Sequence, residues 1–295
     1  MSTRAMHPLL TLPLLLLAAA CASPAAPPEA PSTAPPAPRA ATAPAASSDC
    51  EPERQMNDRV QVCERRAFSL DRRTLVVDAT PNGNVSVERG DGPRIEIVAT
   101  VRATAPTRER AAALVAETRI ETDGTVRADA PEWAREQRRS WVAVHYAVRV
   151  PDGVGVDIET MNGNIDVRGT GAAVRARALN GNVSLRDVRG HADARTTNGN
   201  VEVRLRGALA AEGLTAQTTN GNVDVSVPAS LSATVEASTV HGPLALAGLG
   251  FEADGCHRDA RHAPCTGGRA AGRMGGGGPP LRVSTVNGGL SISAR

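Results

Sequence analysis

One turn motif recurs along the chain and constrains the fold more than any other feature of the sequence. In each copy, an Asn-Gly turn separates two runs in which apolar residues alternate with polar ones. The turns lie at Asn82-Gly83, Asn162-Gly163, Asn180-Gly181, Asn198-Gly199, Asn220-Gly221, Asn287-Gly288 and, in a divergent form, His241-Gly242. Strict alternation with a period of two is typical of strands that bury one face. The pattern therefore predicts an all-β domain.

Two architectures are compatible with this repeat. In consecutive β-hairpins, Asn-Gly would be a two-residue turn, and pairing Ala178 with Val183 would keep apolar residues on one face. In a β-solenoid, Asn-Gly would be a corner, and each strand would pair with its equivalent in the next coil. Central turns 18, 18, 22 and 21 residues apart favour the solenoid, because successive coils must superimpose. Interior Val, Ala and Leu, with only 2% aromatic residues, suit a narrow coil.

The segments outside the central repeats are less regular. Alternation predicts strands before and after the first turn, and an Ala-rich stretch that begins with proline predicts one short helix. The predicted strands are 74–78, 84–88, 94–102, 119–128 and 140–150, and the predicted helix is 106–117. Residues 282–293 return to the repeat, after a Gly-rich insertion between Phe251 and Pro280.

The N-terminus has the features of an export signal. Residues 1–20 contain Arg4 and a 12-residue apolar stretch from Leu9 to Ala20, typical of a signal peptide. The small residues before Cys21 resemble a bacterial lipobox, which predicts lipidation of Cys21; ordinary cleavage after Ala20 or Ala22 is the alternative. Residues 21–49 are rich in Ala and Pro and are expected to form a disordered linker. The β-repeat domain then covers residues 50–295, in an exported lipoprotein anchored, we expect, at the outer membrane and facing the periplasm or the cell surface.

Four further cysteines remain in this exported chain. Cys50, Cys63, Cys256 and Cys265 allow two disulfides, and short loops favour the pairs Cys50–Cys63 and Cys256–Cys265. His257 and His262 lie close to the second pair, so a zinc-type ligand set is the competing interpretation.

Composition argues against several functions. The chain has no Lys and a net charge of +2, without the basic stripe of a nucleic-acid-binding protein. Its few aromatic residues argue against a sugar-binding cleft, and no nucleophile or metalloprotease motif occurs. We therefore expect no enzyme activity, catalytic residue, cofactor or metal. The outward residues Asp166, Ser184, Glu202 and Asp224 form either a weak calcium ladder or, as we expect, a solvated face. Similarly, Trp133 and Trp141 bracket three arginines that suggest either anionic-polymer recognition or an exposed turn.

The repeats resemble a bacterial family of unknown function usually called putative adhesins. The resemblance is carried by Cys63-Glu64-Arg65, the helix at 106–117, the Asn-Gly-Asn-Val repeats and the closing Ser284–Gly288 segment. The family is similar to head-GIN adhesin-like domains, whose fold is a β-solenoid. This resemblance implies a non-enzymatic, envelope-exposed domain.

The expected function is therefore that of a lipid-anchored adhesion, scaffold or interaction module. Its partner would be the membrane, through the lipid, and an unidentified envelope protein or polysaccharide; oligomeric state stays open. An envelope sensor or accessory protein is the main alternative, and a polysaccharide-active β-helix enzyme is a minor one.

Overall fold

A computed structural model describes residue 50 and residues 53–56, 58–135, 139–250 and 266–295. The predicted signal peptide, the linker and the residues Cys21, Cys256 and Cys265 lie outside these ranges. The strands before the central repeats are β1 (Glu53–Met56), β2 (Arg59–Leu70), β3 (Thr74–Asp78), β4 (Val85–Arg89), β5 (Ile95–Ala105), β6 (Arg119–Glu121), β7 (Val126–Asp129) and β8 (Trp141–Val150). The helices are α1 (Arg108–Glu117) and α2 (Glu132–Arg135). The remaining strands are β9 (Gly155–Asn162), β10 (Ile165–Arg168), β11 (Val174–Asn180), β12 (Val183–Val188), β13 (Ala192–Asn198), β14 (Val201–Leu205), β15 (Leu214–Asn220), β16 (Val223–Val227), β17 (Ala233–Ala247), β18 (Thr266–Met274), β19 (Pro280–Asn287) and β20 (Leu290–Ala294).

The repeats form a β-solenoid, as predicted. Strands before the turns pair in parallel in the order β7-β3-β9-β11-β13-β15-β19-β17, and we call them the pre-turn sheet. Strands after the turns pair in parallel in the order β8-β4-β10-β12-β14-β16-β20-β17, and we call them the post-turn sheet. Strand β17 runs past its turn and belongs to both sheets. The hairpin alternative is wrong, because Ala178 lies opposite Thr160 and Thr196 rather than Val183.

The coils do not stack in sequence order. Strands β19 and β20 insert between the coil of β15 and β16 and the coil of β17. The turn at Asn287 therefore lies between those of Asn220 and His241. Similarly, β3 pairs with β9 and β4 pairs with β10, although about 65 residues separate β4 from β9 along the chain. Those intervening residues form the N-terminal end of the solenoid.

The core is a continuous column of small apolar side chains. In the coil of β11 and β12, Val174, Ala176, Val183 and Leu185 are at most 1% exposed, and the residues between them face outward. Tyr146, in β8, is the one aromatic side chain among the fully buried residues of the described ranges. A cross-section filled by Val, Ala and Leu accounts for the scarcity of rings in the sequence.

Antiparallel strands and a helix extend the N-terminal end. Strands β5, β2 and β1 continue the post-turn sheet beyond β8 in antiparallel pairing. Helix α1 begins at Arg108 rather than at the predicted Pro106, because Thr107 is extended and accepts a hydrogen bond from the Arg110 N–H. Arg66 satisfies the other end of the helix by donating to the carbonyl oxygen of Val115 at 2.8 Å and to that of Thr118.

Two further details differ from the sequence predictions. Residues 119–128 do not form one strand: β6 and β7 are antiparallel and are joined by a turn with Gly124 at φ 85°. The four-residue helix α2 was not predicted.

The predicted disulfide between Cys50 and Cys63 is present, with 5.5 Å between the Cα atoms. Within the described ranges, no helix has the length and apolar character needed to cross a bilayer.

Candidate interaction surface

The turns of the seven coils form a single long surface, which we call the corner face. In each coil it includes the residue before the turn Asn or His, that residue itself, and the two that follow. Its second column, in stacking order, is Asn82, Asn162, Asn180, Asn198, Asn220, Asn287 and His241. Five side-chain hydrogen bonds join the six asparagines, each from Nδ2 to the neighbouring Oδ1 over 2.8–3.1 Å.

Glycine in the third column allows the coils to approach closely. A Cβ atom at Gly181 would overlap the carbonyl oxygen of Gly163, and a Cβ at Gly199 would overlap that of Gly181. The same clash would arise at Gly163, Gly221, Gly288 and Gly242. Glycine is therefore required here by the distance between stacked turns. This constraint differs from the hairpin geometry that Asn-Gly usually indicates.

A second amide ladder runs along the fourth column. The Oδ1 atoms of Asn84, Asn164, Asn182, Asn200 and Asn222 each accept the backbone N–H of the equivalent residue in the next coil, at 2.8–2.9 Å. At the N-terminal end, His145 replaces asparagine, and its Nδ1 accepts the Asn84 N–H at 3.1 Å. Burial, together with the charge of Arg102, lowers the pKa of His145. The ring is therefore held in the neutral form that this hydrogen bond requires.

Buried threonines support the corner from inside. Thr160, Thr196, Thr218, Thr285 and Thr239 each donate a hydroxyl hydrogen bond to a glycine carbonyl in the third column, at 2.8–3.0 Å. Ala178 occupies the equivalent position in the remaining central coil, between Thr160 and Thr196. It brings no hydroxyl to the Gly163 carbonyl. The amide and hydroxyl bonds together make the corner face rigid.

Five of the seven residues in the first column are apolar, and the column is unusually exposed. It consists, in stacking order, of Pro81, Met161, Leu179, Thr197, Thr219, Val286 and Val240. Met161 and Leu179 are each 43% exposed, Val286 is 40% exposed and Val240 is 56% exposed. These are four of the six large hydrophobic residues exposed in the described ranges. Their alignment produces an apolar ridge that Thr197 and Thr219 interrupt between Leu179 and Val286, whereas single exposed hydrophobic residues would need no explanation.

The corner face carries no formal charge. Its four columns contain none of the Asp, Glu or Arg residues that supply the 22% charged fraction of the chain. The outer faces of the two sheets differ sharply, because there the charges pair with one another. Arg186 lies between Asp166, at 3.4 Å, and Glu202, at 2.8 Å, and its hydrogen bond lowers the pKa of Glu202.

These ion pairs help to choose between the calcium ladder and the solvated face considered for Asp166, Ser184, Glu202 and Asp224. Asp166 and Glu202 bind arginines of their own and neighbouring coils, while Ser184 separates them. Among the described residues, no group of three or more His, Cys, Asp or Glu side chains has a geometry suited to a metal ion. The solvated, ion-paired face is therefore the interpretation that the arrangement of the side chains favours.

A groove adjoins the N-terminal end of the corner face. It encloses ≈ 510 Å³ and includes Pro81 and Asn82 of the corner face together with Trp141, Asp78 and Asp129. Its residues come from three distant parts of the chain, so sequence inspection did not identify it. Two shallower grooves, of ≈ 420 and ≈ 320 Å³, lie over strands near the other end of the solenoid.

Residues 153–255 match the family model named Toastrack DUF4097. The segment begins at the first central coil and contains five of the seven turns. Over these residues the chain is similar to that family. The matched residues include the central coils, while β19 and β20 lie outside them and complete the stack.

Several solved bacterial structures are similar to the chain at low sequence identity. A putative cell adhesion protein of Clostridium sporogenes ATCC 15579 is 10% identical, covers 80% of this chain and 100% of its own, and has a TM-score of 0.36. A putative adhesin of Bacteroides fragilis NCTC 9343 is 11% identical over 79% of this chain and 97% of its own, with a TM-score of 0.30. A putative lipid binding protein of Parabacteroides distasonis ATCC 8503 is 12% identical over the same shares, 79% and 97%, with a TM-score of 0.28. No curated protein sequence matches the chain significantly.

Proposed function

We propose that this chain is a lipid-anchored envelope protein whose solenoid is a rigid adhesion or interaction module. The corner face is its binding surface. The observation that carries the proposal is the contrast between the corner face, uncharged over seven coils with an exposed apolar ridge, and the sheet faces, whose charges pair with one another. Water would solvate a ridge of polar side chains at no cost, so exposed Met161 and Leu179 are better explained by a partner that covers them.

The N-terminal features support the location. Cys21 follows a signal-like segment, and the Ala/Pro-rich residues after it would hold the solenoid away from the membrane surface. Attached palmitate, and a shift of the protein to the soluble fraction in Cys21→Ala, would support anchoring. A Cys21→Ala variant that stays in the membrane fraction would contradict it.

Binding at the corner face is tested with Leu179→Asp. The aspartate introduces a desolvated charge beneath any apolar partner, so we expect binding of the mature domain to isolated envelopes to fall at least tenfold. Ala245→Asp is the matched control, because Ala245 is also exposed but lies on the outer face of β17, outside the corner face. Equal binding by both variants and the unmodified domain would contradict the proposal that the corner face is the binding surface.

A further inference from the structure

We propose that the groove beside Trp141 binds an uncharged glycan. This inference specifies the partner class of the interaction module and therefore rests on the proposed function. Five aromatic residues in 295 argue against a sugar site when the sequence is considered alone. The fold, however, brings one of them to a groove whose other lining residues are a mixture of hydrogen-bonding and small apolar side chains.

Trp141 supplies an exposed ring in that groove. It is 40% exposed at the start of β8, and the guanidinium of Arg59 lies 4.9 Å from the ring centroid. Arg59 restrains the indole through this cation–π contact, which limits the freedom that the side chain would lose on binding. A restrained aromatic ring beside open groove volume is suited to stacking against the apolar face of a pyranose.

The surrounding side chains are suited to hydroxyl groups. Asp129 brings a carboxylate that accepts hydrogen bonds. Asp78 Oδ1 already accepts the Thr80 N–H and hydroxyl, at 2.9 and 2.6 Å, which leaves its second carboxylate oxygen for a ligand. Asn82 Oδ1 accepts from Asn162, which leaves the Asn82 amide N–H groups as donors. Ser140 also lines the groove and is only 7% exposed, and its Oγ has no hydrogen-bond partner within the described residues. A buried hydroxyl without a partner at a groove wall is explained by a ligand that completes its hydrogen bonding.

Charge distinguishes an uncharged glycan from an acidic one. Two carboxylates face the groove, while the one guanidinium in its lining, that of Arg127, donates to Glu121 at 2.6 Å. Arg139, close to Trp141 in sequence, forms an ion pair with Asp58. Arg127 also interacts electrostatically with Asp129 and Asp78, so the lining holds two carboxylates against one guanidinium. This net negative lining would repel an anionic polymer and would not repel an uncharged one. The groove opens onto the uncharged corner face, so a longer chain could continue along the apolar ridge.

The test uses the mature chain with a Trp133→Phe background, so that Trp141 is the only fluorescent tryptophan. Soluble dextran, mannan and galactan oligosaccharides are titrated in parallel with polygalacturonate, an acidic comparison. We expect at least one uncharged series to shift Trp141 emission saturably, and polygalacturonate to have no effect. Binding followed by calorimetry should fall at least tenfold in Trp141→Ala and in Asp129→Asn. It should be unchanged in Asp224→Asn, a matched exposed carboxylate on β16.

Each outcome bears on the proposal. Preference for polygalacturonate, or glycan binding that survives in both groove variants, would overturn the glycan site. Absence of binding to every uncharged series would also overturn it. None of these results would affect the envelope-binding comparison of Leu179→Asp with Ala245→Asp, so the two proposals can fail separately. Asp129→Asn removes only a charge, and its melting temperature should equal that of the unmodified chain. Unchanged melting would show that lost binding does not come from misfolding.

Discussion

At the scale of single residues, the buried threonine row contains one informative exception. Ala178 occupies the position where five other coils place a threonine that donates to a glycine carbonyl. Ala178→Thr should add the missing hydrogen bond to the Gly163 carbonyl and improve strand propensity. We expect the free energy of unfolding to rise by about 1 kcal/mol in urea denaturation. A decrease would show that the coil lacks room for the hydroxyl.

His145 makes a second prediction at this scale. Its pKa is lowered in the fold, so below its ordinary value of 6.5 the unfolded chain takes up a proton that the folded chain resists. Stability from this residue is complete above pH 6.5 and decreases as the pH falls toward the folded pKa. Between pH 7.5 and 5.5 the loss should reach up to about 1.4 kcal/mol.

The matched variant is His145→Asn, which places the ladder's usual residue at this position and does not titrate. Urea denaturation of both proteins at the two pH values separates the histidine from all other groups. The unmodified chain should lose more stability than His145→Asn at pH 5.5. Equal losses would mean that the Asn84–His145 hydrogen bond does not depend on protonation.

At the scale of elements, the stacking order is the feature that could not be predicted from sequence. Spacing and alternation identified the solenoid, and the turn residues share one surface as the solenoid prediction requires. Every coil, however, presents the same pattern of apolar residues to its neighbours, so nothing local specifies that β19 pairs with β15 and β17. The Trp141 groove was missed for a related reason, because residues 78–82, 127–130 and 140–142 meet only in the folded chain.

The stacking order predicts which cysteine pairs can form disulfides. Asn220→Cys with Asn287→Cys places two cysteines on adjacent strands with their Cα atoms about 4.8 Å apart, within bridging range. Asn220→Cys with His241→Cys places them two strands apart, roughly 9.6 Å, which is too far. Mass spectrometry after mild oxidation should find only the first crosslink. Efficient formation of the second would mean that the coils follow sequence order.

At the scale of the whole molecule, the residues that stabilise the solenoid differ from the exposed residues that we propose bind a partner. The core of the solenoid runs the length of the stack and its ladders join most of the coils, so the corner face is held in place without depending on a ligand. The outer sheet faces carry ion-paired charges, and the uncharged corner remains available. A tether that begins at Cys21 would then present this one long face to a neighbouring envelope component.

Photo-crosslinking in intact cells tests this claim most directly. A photoreactive amino acid is placed at Leu179, on the apolar ridge, or at Ala245, on the post-turn sheet face. We expect a discrete, saturable adduct from position 179 and none from position 245. Adducts from position 245 alone, or indistinguishable patterns from both positions, would contradict a binding role for the corner face.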